Sequence, residues 1–312
     1  MARKLIDLSM SVHNDMVAFP RVVRPALAMY ENWREFAERI GAAKYGADSL
    51  AASCIMVTGD HIGTHMDALR HFREGAPGAE GIPLEYCYGD GVVLDFRHLA
   101  KGAGITVNDM KDALTKAKYT LKPLDIPLIF TGAGAIQDSP DYVTDQCGMT
   151  AEATHWMLDQ GVKVTGIDAI TFDPPVWAMF ERKQFWEAHR VMMTREYYHL
   201  ENMTNLHQLP PHGFKLSLFP VKWVNATAAP VRAVACLISA RWMKLRGRPN
   251  AAAALGCTRK SSAEHSASMA STTPTRSPRR GCAPDPTQSS GAATSPIRSP
   301  WWRRSSVPRT WW

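Results

Sequence analysis

The sequence lacks the features that would place it in a membrane or a secretory route. No apolar stretch approaches the ~18 residues that a membrane span needs. Near the N-terminus, Asp7 interrupts what could have been an apolar signal core in Met1-Ala-Arg-Lys-Leu-Ile-Asp-Leu-Ser-Met10. The six cysteines, Cys54, Cys87, Cys147, Cys236, Cys257 and Cys282, form no C-x-x-C pair. That spacing indicates neither a zinc knuckle nor a disulfide framework, and it reads as scattered reduced thiols in a cytoplasmic protein. Internal repeats are missing as well. So is an excess of one charge over most of the chain. The net charge of +7 arises in residues 241–312, which hold 13 basic and 2 acidic residues, whereas residues 1–240 hold 23 basic and 27 acidic, or −4. The basicity therefore says little about the partner of the folded part, and nucleic acid is not the expected one.

What is present is an ordinary soluble composition, 45% hydrophobic, arranged in alternating patterns. Short apolar runs at 5–8, 54–58, 91–96, 126–130, 162–168, 197–201, 214–224 and 231–239 read as strands. Helical spacing is read over Tyr30–Ile40, from an Asn108 cap to about Lys116, from a Thr150 cap through Leu158, and over Arg182–Arg195. Interleaved strands and helices predict a mixed α/β class with a central sheet. One domain is expected over 1–246. Residues 247–312, rich in Ser, Arg, Pro, Ala and Thr without a hydrophobic period, are expected to be a disordered basic tail. Two readings of the tail compete: an arm for nucleic acid or another acidic surface, with Trp301, Trp302, Trp311 and Trp312 for stacking, or a frame-shifted or read-through end. The abrupt change in composition favours the second.

The densest chemistry lies in Gly59-Asp-His-Ile-Gly-Thr-His-Met-Asp-Ala-Leu-Arg-His71, with three histidines and two aspartates in thirteen residues. His61, His65 and Asp67 are short-reach nitrogen and oxygen donors of the kind zinc or manganese takes. Gly63 and Thr64 allow a tight turn that points both imidazoles inward. His71 follows at four residues and could be a fourth ligand or an acid/base. A soluble core rarely concentrates so many polar groups without a ligand to satisfy them. Elsewhere the plain readings prevail. Asp60 reads as a turn residue, and Asp168 and Asp173 read as caps. His13, His98, His155, His199, His207 and His212 read as surface or satisfied core histidines.

The pattern H-x-G-T-H-x-D-x-x-x-H, here His61 to His71, resembles the signature of the cyclase-like metal hydrolase family, which includes bacterial kynurenine formamidases and isatin hydrolases. Ile6-Asp-Leu-Ser-Met10, Gly91-Val-Val-Leu-Asp95, Thr131-Gly132, Gly166-Ile-Asp168 and Pro230-Val-Arg232 look like further landmarks, so the resemblance covers about residues 4–240. It implies a swivelling β/β/α fold with a central mixed sheet. It adds His189, in Trp186-Glu-Ala-His189, and Glu201, in Glu201-Asn, as distal ligands twelve residues apart. His189 alone would read as an ordinary helix histidine. The implied activity is hydrolysis of a small amide, an aryl amide first, by water activated on one or two divalent ions. The same site could instead act on another cyclic amide, a lactone or an acyl substrate. His71 becomes the general acid/base and Phe19 a candidate substrate contact. A homodimer or homotetramer is implied too. The chain departs from the pattern at Leu69, where proline is common, and at Ala133-Gly-Ala135, where an aromatic residue is common. Its excursion over residues 22–50 is longer than compact formamidases carry.

Overall fold

The computed structural model describes residues 4–237. The expected tail at 247–312 lies outside the described residues, so its two readings stay as sequence expectations. In chain order the elements are β1 (Lys4–Asp7), β2 (Ala26–Glu31), α1 (Trp33–Arg39), β3 (Ser53–Val57), β4 (His65–Asp67), β5 (Tyr88–Asp95), β6 (Gly104–Ile105) and α2 (Val107–Ala117). There follow β7 (Ile126–Phe130), β8 (Gly148–Met149), α3 (Ala151–Asp159), β9 (Val164–Ile167), α4 (Val176–Arg182), α5 (Glu187–Arg190), β10 (Tyr198–Glu201), β11 (His212–Ser217), β12 (Ala228–Pro230) and β13 (Val234–Leu237). The class is mixed α/β, as the interleaved patterns predict.

Nine strands form one mixed sheet in the order β1-β13-β11-β5-β7-β9-β10-β4-β12. Strands β5, β7, β9 and β10 are parallel neighbours; every other pairing in this sheet is antiparallel. All five residues of β7, in the middle of the parallel strands, are apolar and buried, as expected for a strand covered on both sides. α2 packs on β5 through Met110, Ala113, Leu114 and Ala117. α3 packs on α2 and α5.

Several boundaries differ from the sequence reading for local reasons. The cap of α2 is Thr106, not Asn108: Asp109 N–H donates to Thr106 Oγ1 at 3.2 Å, and Asp109 Oδ2 accepts from Thr106 N–H at 2.8 Å. Thr150 caps α3 as expected. The helix expected over Arg182–Arg195 is broken, because Lys183 and Trp186 adopt the left-handed conformation, at φ 55° and 50°. α4 ends at that point and His189 falls in the first turn of the short α5. The helix expected from Tyr30 starts at Trp33, and the residues before it pair with β3 in a separate two-stranded ribbon. The strand expected to deliver His61 is this ribbon's β3, which lies outside the large sheet.

Candidate metal centre

Strand register gathers the centre. In the antiparallel pair of β10 and β4, Glu201 lies opposite His65 and Leu200 opposite Met66. Residues directly opposite share a face, and so do residues two apart along a strand. His65, Asp67, His199 and Glu201 therefore project together, while the buried Met66 and Leu200 pack into the apolar layer behind them. On its other side β4 pairs with β12, Asp67 opposite Ala228.

The approach to β4 is held at Thr64. Its hydroxyl donates to Asn202 O at 2.5 Å and accepts from Met10 N–H at 2.9 Å, while its carbonyl accepts from Val231 N–H at 2.9 Å. Gly63 sits at φ +66°, and a Cβ there would stand 2.6 Å from Val12 Cγ2. The turn thus requires glycine on both counts. Asn202, next to Glu201, turns left-handed at φ 57° and accepts from Tyr142 Oη at 2.9 Å, a conformation asparagine tolerates.

Three histidines have their outward nitrogen committed. His65 Nδ1–H donates to Gly63 O at 2.8 Å, and His189 Nδ1–H donates to Asp173 Oδ2 at 2.5 Å. The Thr227 hydroxyl donates to Asp60 Oδ2 at 2.7 Å, so it accepts from His61 Nε2–H at 2.9 Å. The remaining ring nitrogens face Asp67: His61 Nδ1 at 3.0 Å from Oδ1, His65 Nε2 at 3.2 Å from Oδ1 and His189 Nε2 at 3.5 Å from Oδ2. His71 Nε2 lies 3.6 Å from Oδ2. Neither oxygen of the fully buried Asp67 accepts an aligned hydrogen bond. A buried carboxylate without aligned donors, ringed by nitrogens whose lone pairs converge on it, is the donor set a divalent cation satisfies. Two groupings could hold an ion: Asp67, His189, His199 and Glu201, and His61, Asp67 and His71. His65 stands against both, 3.3 Å from His61 Nδ1 and 3.6 Å from Glu201 Oε2.

The crowding of these groups also shifts their proton affinities. Burial pushes the His61 imidazolium down, but the Asp67 charge outweighs it and lifts it to about 9. Burial brings His71 down to about 4; the pull of Asp67 is opposed by the His61 and His189 charges. Burial also works to raise Asp67 and Glu201, yet the surrounding imidazoles hold both below the usual carboxylate range.

The six residues expected as ligands or acid/base from the sequence meet here. Phe19 is half-buried and packs against the core, in the loop between β1 and β2. Asp168 is a cap as expected, gathering Thr131 N–H, Gly132 N–H and Gly134 N–H. Asp173 is a cap too, of Ala188 N–H and His189 N–H, but it also orients the His189 ring, which the capping reading did not contain. His199 needs correction. Read as an unconnected histidine, it is fully buried with Nε2 3.4 Å from Asp67 Oδ2. The signal that could have found it is its spacing of two from Glu201, matching His65 and Asp67 on the facing strand. Phe72 was also missed; its ring centroid lies 4.9 Å from His71 and 5.0 Å from His189.

The profile of the family described as "Putative cyclase" matches residues 6–174. A kynurenine formamidase of Bordetella avium is 29% identical over 184 residues, spanning 56% of this chain and 75% of the relative. One from Salinibacter ruber is 25% identical over 221 residues, spanning 70% and 96%. Among solved structures, isatin hydrolase A from Labrenzia aggregata bound to benzyl benzoate superposes with a TM-score of 0.64 at 20% identity, over 75% of this chain and 94% of that one. An isatin hydrolase bound to the product analogue thioisatinate gives a TM-score of 0.64 at 17% identity, over 75% and 92%.

Proposed function

The chain belongs to the "Putative cyclase" family, and from that membership we propose that it is a metal-dependent hydrolase opening the C–N bond of a small amide. The observation that carries this reading is the unsatisfied, fully buried Asp67 carboxylate with imidazole nitrogens turned to it from two sides. His61, His65 and Asp67 would hold one divalent ion, and Asp67 with His189 and Glu201 a second; zinc or manganese suits these donors. A divalent ion held there supplies Lewis acidity, bringing the pKa of water to about 7 and polarising a carbonyl.

The chain's own groups do the rest. His71, its Nε2 3.6 Å from Asp67 Oδ2 at the edge of the centre, is the group placed to take the proton of the attacking water. Water oxygen adds to the carbonyl carbon, the C–N bond breaks, and the His71 proton passes to the departing nitrogen. Gly63 O, Asp173 and the Thr227–Asp60 pair keep the rings of His65, His189 and His61 oriented. Phe72, beside His71, offers a flat apolar wall that suits an aryl group, with Phe19 as a second candidate contact. The relatives bear the names kynurenine formamidase and isatin hydrolase, and aryl amides of both kinds are the proposed substrates.

A second copy of the chain is the proposed partner. Every residue of β3 and five of the six of β2 are exposed, Met29, Tyr30, Ile55 and Met56 among them. A lone two-stranded ribbon is marginal in water, and cover from another subunit would stabilise it. Location in the cytoplasm fits the unpaired thiols of Cys54, Cys87, Cys147 and Cys236. No helix among the described residues is long and apolar enough to cross a membrane.

The test is metal analysis of the purified chain together with a hydrolysis screen of N-formylkynurenine, isatin and simple formanilides. Turnover abolished by chelator and restored by zinc or manganese is expected. Bound metal with no turnover of any of them would sink the amide-hydrolase reading.

A further inference from the structure

His199 takes no part in the chemistry argued so far, yet its ring is clamped. Phe172 stacks on it with centroids 4.6 Å apart and planes at 12°, and His189 stands edge-on at 4.4 Å and 82°. The clamp aims Nε2 at the centre, where it lies 3.2 Å from His189 Nε2, 3.4 Å from Asp67 Oδ2 and 3.5 Å from Glu201 Oε1. Glu201 Oε1 is itself fixed by Phe172 N–H at 2.7 Å. His189 Nε2 stands 3.5 Å from Asp67 Oδ2 and 3.3 Å from Glu201 Oε1.

These five separations, all of 3.2–3.5 Å, relate four atoms of four residues. Donors held at ~2.0–2.1 Å around a tetrahedral ion lie about 3.3 Å from one another. A hydrogen bond from His199 Nε2–H finds His189 Nε2 at 3.2 Å but neither Asp67 oxygen in alignment, so it leaves the buried Asp67 carboxylate unsatisfied, which a shared ion would not. The opposite nitrogen, His199 Nδ1, is buried without a partner, unlike the outward nitrogens of His61, His65 and His189, so the Phe172 stack and not a hydrogen bond sets the ring's direction.

We propose that His199 is a fourth protein ligand, completing with Asp67, His189 and Glu201 the coordination of one ion and leaving it no open position. Structural sites of that kind are closed, whereas catalytic ones keep a position for water. The centre would then divide its labour: the ion under β10 is structural, and the reacting water is confined to the His61 and His65 side, next to His71. This deepens the hydrolase reading and rests on its metal.

The full chain, stripped by chelator and reloaded with Co2+, is to be followed by proton NMR for the strongly shifted ring N–H signals given by imidazoles bound to a paramagnetic ion. A signal from His199 Nδ1–H is expected, making four with His61, His65 and His189. It should vanish in His199→Gln, which keeps a donor near the Nε2 position, and one Co2+ should bind more than about 100-fold more weakly, beyond the cost of losing a merely orienting partner. The same shifted signals in His199→Gln as in the unaltered chain would overturn the assignment. Should that variant fail to fold, only three shifted ring N–H signals in the unaltered chain would overturn it equally. Uptake of no Co2+ by the unaltered chain would instead sink the hydrolase reading beneath it.

Discussion

Two strand pairs of this molecule are opposites. β4 and β10 are buried along their whole length yet carry His65, Asp67, His199 and Glu201. β2 and β3 are exposed almost throughout yet carry Leu27, Met29, Ile55 and Met56. In each pair the side chains contradict their surroundings. Polar groups in a dry interior are tolerated when something satisfies them, and apolar groups in water when something covers them. The proposed cation would answer the first contradiction, and the proposed second copy of the chain the second.

The comparison can be broken most directly at Asp67. Asp67→Ala removes the carboxylate at the centre of both ion groupings, and a loss of kcat/KM of at least about 10³-fold with loss of bound metal is expected. Metal retained at the normal stoichiometry would break the first half of the comparison. His71→Ala is expected to lower kcat by about 10²–10⁴-fold while metal content stays unchanged; near-normal kcat would remove His71 from its role.

Acid and base sharpen the point in the chelated chain. His61 is raised to about 9 in the folded state, so its contribution is full below the unfolded value of about 6.5 and is lost as pH rises through 9, a change of about 3 kcal/mol. His71 is lowered to about 4, so its contribution is present above about 6.5 and is lost as pH falls towards 4. As far as these two groups decide it, the chelated chain is most stable near pH 6.5. Urea denaturation midpoints at pH 5, 6.5 and 9 check this, and a flat profile would deny these opposed shifts of His61 and His71.

Asp173→Asn weakens the hold on the His189 ring, and metal affinity should fall by about 10–100-fold, measured by competition with a chromogenic chelator. The smallest effect on the centre is expected from the ribbon. Ile55→Glu should lower the oligomeric state seen by light scattering while bound metal changes by less than about 2-fold. An unchanged mass would leave the second strand pair without its proposed cover.

The first strand pair was half legible in the sequence. His61, His65, Asp67 and His71 cluster within one motif, whereas His189 and Glu201 came only from what the family resemblance implies. His199 was hidden because a single histidine in an apolar run looks like any core histidine; only the pairing of Glu201 with His65 gives its side chain a direction. The break between α4 and α5 was hidden for a different reason. Lys183 and Trp186 turn left-handed, a conformation neither residue advertises, so the apolar spacing ran on through them. β2 was hidden because its exposed apolar residues fit neither a helix face nor a core strand.

The placement of β4 between β10 and β12 also sets a timetable. Asp67 pairs with Ala228, about 160 residues later in the chain. At 5–20 residues per second of synthesis, roughly 8–32 s separate the emergence of these two partners from the ribosome. Thr64 waits equally long for Val231. Throughout that interval the nascent chain carries the histidine-rich motif without β12 beside it, so capture of the proposed cation would be a late event, tied to the arrival of the last strands.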